Sequence, residues 1–546
     1  MDEKEKKRQK LISRFVFLGF GLSGAAALIY EVVWTRSLST IMGSSTYAVS
    51  TMLAAFMAGL SVGGWLGAIL IPKIKRISLA FAYCELGIGL AGIIVMPVIL
   101  ALTPLYMKSF YTFHLSFNTF SIVQFIIVFM IMGIPTTLMG MTFPFVVKLF
   151  AKEGSDAGQQ AGFLYGINTL GAIVGSTAAG FLLIPTLGVK GAALIAASLN
   201  IFTAGIIIIL SKDFKKIIPV VTALLVLVPV STIVAKQDFP FFSYFNAFRF
   251  GDYDMAYKVY EHLEKHGEKN VVYHNEGIDG DVALIKYQVH NNEYEWALTN
   301  NGKREAGDDR GFAMLAYLPT LHYSYGQPQS VLNIGLGSGN TLKYLAQYPI
   351  NHIDSVELSE GIIEVNRTVL NPSLFSDPRI DHIKADGRNY LLLSPISYDV
   401  IIASPSWAVE SASAGLLTDE FFRIAEKRLT PTGVFAVWVD FFMMSRDDLE
   451  IVVRTFSRHF NHSLAWYVEG DFVILVGSNT PFITLPDRIV QQVVQKRPDL
   501  NRSFRLLMSE EYINTIASGK INTDDKPVIE FHNARHMITW QPDEKS

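Results

Sequence analysis

Residues 331–358 read VLNIGLGSGNTLKYLAQYPINHIDSVEL. Two strand-like runs, VLNIGL and IDSVEL, flank a glycine-rich turn and a helix-like stretch, which is how a doubly wound parallel sheet begins. Gly335, Gly337 and Gly339 let the turn pass close to a ligand, and the helix starting near Asn340 points unpaired N–H groups there. Ser338 lies inside the same loop. Glu357 closes the second strand about 20 residues on, where a carboxylate accepts both hydroxyls of a ribose. A third run, IDHIKAD, ends in Asp386-Gly387, an acceptor for an adenine edge. The three features favour an adenosine-containing ligand over ordinary turns and helix caps. The third glycine of the dinucleotide pattern GxGxxG is absent, so an S-adenosylmethionine-type molecule fits better than NAD.

Working outward, YDVIIAS (398–404) and GVFAVWVDF (433–441) continue the strand pattern. Before the sheet, VVYHNEG, VALIKY and EWALTNNGKR are joined by Gly and Asn turns and predict a small antiparallel sheet over 271–304. Residues 237–265 read as an aromatic interfacial linker and a short amphipathic helix.

The first 236 residues have a different composition. Half of the 546 residues are hydrophobic, above the level of soluble domains. Apolar runs long enough for a ~30 Å hydrocarbon core recur. They predict seven spans, near 12–34, 46–71, 79–102, 119–147, 161–185, 190–211 and 217–235. The first is no cleavable signal peptide, because no small-residue site followed by polar sequence ends it. Lys and Arg concentrate in alternate loops, at Lys4–Arg14, Lys73–Arg76, Lys148 with Lys152, and Lys212–Lys216. That places the N-terminus in the cytoplasm of a multi-pass protein of the cell membrane. Seven crossings carry the second half outside, whereas a nucleoside made in the cytoplasm asks for the inside, so its side is left open. Gly59, Gly63 and Gly67, and again Gly171 and Gly175, form four-residue repeats that let helices approach closely. Glu85, with Asn168, Asn200 and a fourth span broken at Pro135 and Pro144, is a candidate lining for a polar path.

The net charge of −3 gives no basic field for nucleic acid. Cys84 is the only cysteine and excludes an intrachain disulfide and cysteine zinc sites. Twelve scattered histidines without HExxH give no reason to expect a metal.

The loop after YDVIIA raises the catalytic question. Ser404-Pro405-Ser406-Trp407 follows a strand end where α/β enzymes commonly place a charged group, and none is there. Ser404 is the weak catalytic candidate, and it has no nearby His or Lys to activate it. Glu410 lies six residues beyond and is the nearest acid that can swing in. Phe312, Trp407 and Trp438 read either as core or as an aromatic acceptor pocket.

Several stretches resemble the membrane-bound spermidine synthase-like proteins, which belong with the polyamine aminopropyltransferases. GLSGAAALIYEVVWTR, STYAVSTMLAAFMAGLSVGGWLGA, PTTLMGMTFP and LYGINTLGA are similar to their membrane part. NGKREAGDDRGFAMLAYLPTL, VLNIGLGSGNT, ADGRNYLL, VVRTFSRHF and NTDDKPVIEF are similar to their soluble part. The resemblance implies a methyltransferase-like fold behind a small β domain. It also implies aminopropyl transfer from decarboxylated S-adenosylmethionine to a polyamine. The family's ribose acid matches Glu357 and its adenine-binding pair matches Asp386 and Gly387. The loop aspartate falls on Ser338, the general base on Ser404, a second diamine-contacting aspartate on Trp407, and the Tyr and Gln or His on Gly311 and Phe312. The nucleoside half is kept and the polyamine half altered. A diamine needs carboxylate counter-charges and a base for one ammonium, so these changes put ordinary spermidine synthesis in doubt.

The expected architecture is a transmembrane bundle (1–236), linker and small β domain (237–328), an S-adenosylmethionine-dependent methyltransferase-like Rossmann-type domain (329–484) and a helical extension (485–546). Three functions compete. One is an aminopropyl or related alkyl transfer to an amine acceptor. The second is a methyltransferase acting on a membrane-associated, lipid-like acceptor. The third is a non-catalytic nucleoside sensor. The expected partners are the bilayer and a small acceptor, with homo-oligomerisation open and no nucleic acid.

Overall fold

The computed structural model describes residues 3–113, 116–150, 157–211, 271–288, 294–305, 309–406, 408, 410–441, 444–470 and 472–539. The chain divides into two compact units, residues 1–43 with 47–260, and 44–46 with 261–546.

The first unit holds α1 (Glu3–Met42), α2 (Thr46–Leu70), α3 (Ile77–Phe113), α4 (Phe117–Phe150), α5 (Ala157–Ala178) and α6 (Ile184–Leu210). Among the described residues, five helical stretches are long and apolar enough to cross a membrane, where the sequence predicted seven spans. The difference has two sources. Gly158–Leu210 runs as one stretch of 53 residues, although Gly188 leaves helical conformation inside it at φ 70°, ψ 174°. The expected spans 161–185 and 190–211 lie on either side of that break. The seventh, 217–235, falls outside the described residues. The fourth expected span is not broken, because α4 runs unbroken through Pro135 and Pro144.

The glycine repeats serve close packing. A methyl group on Gly59 or Gly63 would overlap Thr136 or Thr137 of α4, and one on Gly171 or Gly175 would overlap the backbone of Gly21 or Ala25 of α1. Two side-chain amides in these helices reach across to a neighbouring helix. Asn200 Nδ2 of α6 donates to Glu85 Oε2 of α3 at 2.7 Å, and Asn168 Nδ2 of α5 donates to the Phe20 carbonyl of α1 at 2.9 Å. Each bond ties two helices together.

The second unit opens with a four-stranded antiparallel sheet of β1 (Val271–Glu276), β2 (Asp281–Gln288), β3 (Tyr294–Asn300) and β4 (Lys303–Arg304). Asn301-Gly302 makes the last reversal, with φ of 49° and 73°. Those two left-handed residues are what a two-residue hairpin requires. An eight-stranded sheet follows, in the order β12-β10-β11-β9-β8-β5-β6-β7. It contains β5 (Ser330–Ile334), β6 (His352–Glu357), β7 (Ile380–Lys384), β8 (Tyr398–Ala403) and β9 (Leu429–Asp440), which run parallel to their neighbours. β10 (His462–Val468), β11 (Phe472–Ser478) and β12 (Phe504–Met508) complete it antiparallel. The predicted helical extension therefore also contributes an edge strand.

Val331, Leu332, Val400, Ile401 and Ile402 are fully buried because helices cover both faces of the parallel strands. The chain leaves β5 toward β6 on one side and returns as β8 on the other. A crevice above the carboxyl ends of β5 and β8 is the place such a sheet offers to a ligand.

Candidate functional site at the strand carboxyl edge

The glycine loop leaves β5 at this edge. Gly335, Gly337 and Gly339 have φ of 90°, 51° and 78°, a region in which a side chain is strained. The loop is pinned from all sides. Gly335 N donates to Val356 O at 2.9 Å, and Ser404 N donates to Ile334 O at 2.9 Å. Asn366 Nδ2 donates to Gly337 O at 2.8 Å, and Asn371 Nδ2 to Ser338 O at 2.7 Å. The Ser338 hydroxyl is buried and has no partner among the described residues.

Glu357 ends β6 against this loop. Its Oε2 accepts from Leu336 N at 2.8 Å and its Oε1 from Ser359 N at 2.9 Å. Each carboxylate oxygen can accept more than one hydrogen bond, so the group keeps capacity for a sugar hydroxyl. Burial raises the Glu357 pKa, the Ser359 and Leu336 amides lower it, and the Glu305 charge raises it again; the net direction is up.

Asp386 is exposed and caps the helix Gly387–Leu393, its Oδ1 accepting from Asn389 N at 2.8 Å. A methyl on Gly387 would overlap Ile334 of β5. The Asp-Gly pair thus caps this helix and seats it on the sheet.

Ser404 is half-buried beside the glycine loop, and Trp407 lies outside the described residues. Phe312, in the helix Asp309–His322, stacks on Trp438 with ring centroids 5.5 Å apart and planes 9° apart. Trp438 in turn meets Phe472 at 4.3 Å. A methyl on Gly311 would come within 2.6 Å of the Trp438 ring, so that indole fills the room a larger residue at 311 would need.

Glu410 is not turned to Ser404: its Oε2 accepts from Lys303 Nζ at 3.2 Å. Lys303 also meets Glu305 Oε1 at 3.2 Å, and the Ser406 hydroxyl donates to both Glu305 oxygens at 3.3 and 3.2 Å. Sequence reasoning missed Lys303, Glu305 and Ser406 as site residues, having taken NGKR as strand and turn and as part of a stretch that carries the resemblance. The usable signal is the Asn-Gly hairpin, which reverses the chain and delivers the next charged residues to this loop. Among the described residues, His352, Asp354 and Asp381 also bring ligand-type atoms within 4.8 Å. Asp354 there is already engaged by Tyr390 and Tyr398 hydroxyls at 3.0 and 2.5 Å.

Residues 312–469 match the spermine/spermidine synthase domain. The polyamine aminopropyltransferase of Mycobacterium tuberculosis H37Rv is 24% identical over 444 residues, covering 76% of this chain and 75% of that protein. Polyamine aminopropyltransferase 1 of Streptomyces coelicolor is 23% identical over 435 residues, covering 77% and 75%. Both shares of this chain exceed its second unit, so the similarity extends into the helical first unit. A spermidine synthase structure from Thermotoga maritima is 21% identical and covers 46% of this chain and 84% of that one, with a TM-score of 0.34. The matched domain and these curated relatives support a likeness of the chain to the spermidine synthase-like proteins.

Proposed function

We propose that the second unit binds decarboxylated S-adenosylmethionine and transfers its aminopropyl group to an amine acceptor, in a protein whose helical unit lies in a bilayer with the N-terminus in the cytoplasm. The observation that carries the proposal is the presence of Glu357, bonded to the glycine loop through Leu336 N, together with a second carboxylate, Glu305, which follows β4 and accepts from Ser406 in the loop after β8. In this reading Glu357 accepts the ribose hydroxyls, Asp386 takes the adenine edge, and Glu305 holds the acceptor nitrogen.

The donor supplies a carbon activated by sulfonium: the amine lone pair forms the new N–C bond while the C–S pair leaves on sulfur as neutral 5′-methylthioadenosine. The proton shed by the amine passes to Glu305. Glu305 stands in for the base that the family resemblance puts at Ser404. Ser406 fixes its orientation through the two hydroxyl contacts, and a positioned base of this kind contributes ~10²–10⁴-fold.

The test is incubation of the purified full chain with decarboxylated S-adenosylmethionine and a panel of amines, with 5′-methylthioadenosine measured by chromatography. Amine-dependent release of that thioether supports aminopropyl transfer. Release of S-adenosylhomocysteine from S-adenosylmethionine instead identifies a methyltransferase, and binding without turnover identifies a sensor. Reporter fusions at the C-terminus test the bilayer orientation.

A further inference from the structure

We propose that Lys303 occupies the place of a substrate ammonium, so that the acceptor is a monoamine with an apolar remainder and not a diamine. The inference rests on the transfer reading above and names the substrate class of that site.

The hairpin comes first. With Asn301 and Gly302 both at positive φ, the chain turns within two residues and Lys303 pairs with Asn300. The lysine side chain is only 6% exposed, and its ammonium lies 3.2 Å from Glu305 Oε1 and 3.2 Å from Glu410 Oε2. Burial pushes its pKa down and the two carboxylates push it up, with the upward effect prevailing. A permanent cation therefore sits between the two acids.

The second step is the charge balance. Around Lys303, two carboxylates and one ammonium leave this cluster a single net negative charge among the described residues. A free diamine brings two positive charges, and taking an unpaired charge out of water costs several kcal/mol. A monoamine brings one charge, which Glu305 can meet.

The third step is the wall of the site. Trp438 directly follows Val437, the residue paired with Ala403 at the end of β8. The Phe312–Trp438–Phe472 cluster is thus brought to the same strand edge as Ser404. With Gly311 packed against the indole, the three rings give that wall apolar contact area.

The experiment is calorimetry on the full chain in detergent, saturated with 5′-methylthioadenosine, titrated with 1-aminobutane and with 1,4-diaminobutane. The monoamine is expected to bind more tightly by about 10-fold or more. Lys303→Met is expected to narrow or reverse the ratio, and Lys303→Arg to keep it. Should Lys303→Met not fold, the wild-type ratio alone decides. Equal or tighter diamine binding, binding of neither amine, or a ratio unmoved in folded Lys303→Met overturns the inference. Failure of 5′-methylthioadenosine itself to bind is a different result: it removes the transfer reading, and this inference with it.

Discussion

Glu357 and Leu336 meet across the first turn of the parallel sheet, the carboxylate accepting the backbone N–H at 2.8 Å. The acid at the end of β6 therefore shapes the glycine loop. Glu357→Ala leaves the Leu336 and Ser359 amides without their acceptor, at about 1–3 kcal/mol for each one that stays dry. A lower melting temperature is expected for the purified protein, with Glu357→Gln intermediate. An unchanged melting temperature would show that water replaces both bonds.

Because the Glu357 pKa is raised, ligand binding acquires an acid limb. The ionised carboxylate accepts hydroxyl donors more strongly than the protonated acid, which turns one oxygen into a donor, so affinity for 5′-methylthioadenosine should fall as pH drops. The fall should begin above the usual glutamate value of about 4.3. Glu357→Gln should remove this limb. Affinity that rises toward acid pH contradicts the assignment.

His322 gives a second pH effect, unrelated to ligand. It packs against Trp466 and Phe482 at 5.8 and 4.6 Å between ring centroids, and burial pushes its pKa down to about 3. The unfolded chain takes up a proton near pH 6.5 and the folded chain does not. Stability is thus fully present above pH 6.5 and is lost as pH falls toward 3, by up to about 1.4 kcal/mol per unit. Chemical denaturation between pH 7 and 4 should show a shallower loss in His322→Phe.

The Asp386-Gly387 pair separates into two effects. Gly387→Ala forces a methyl into Ile334 and is expected to cost about 1–3 kcal/mol by overpacking. Asp386→Asn keeps the helix cap, so its effect should appear in nucleoside affinity with stability nearly unchanged. Equal stability losses in both would leave Asp386 as a cap alone.

What the sequence revealed follows from the range of the forces involved. The strand run 331–334, the glycine loop and Glu357 were legible because local periodicity and three positive-φ glycines fix them within 27 residues. The close-packing glycines were legible for the same reason. The pairing of Lys303 with Glu410 was not, since it joins residues 107 positions apart, and no local pattern carries that information. The edge strand β12 was missed because Phe504–Met508 is short and its partner, β10, lies far back in the chain. The continuity of α4 through its two prolines was also hidden, because neighbouring helices, not the local sequence, keep such a helix packed.

The central claim is that Glu357, at the glycine loop, grips an adenosyl group. Titration calorimetry with 5′-methylthioadenosine on wild type, Glu357→Ala and Ser404→Ala tests it most directly. Binding by the wild type, its loss in Glu357→Ala and its near-complete retention in Ser404→Ala is the expected result. No binding by the folded wild type, or equal losses in both variants, would contradict it.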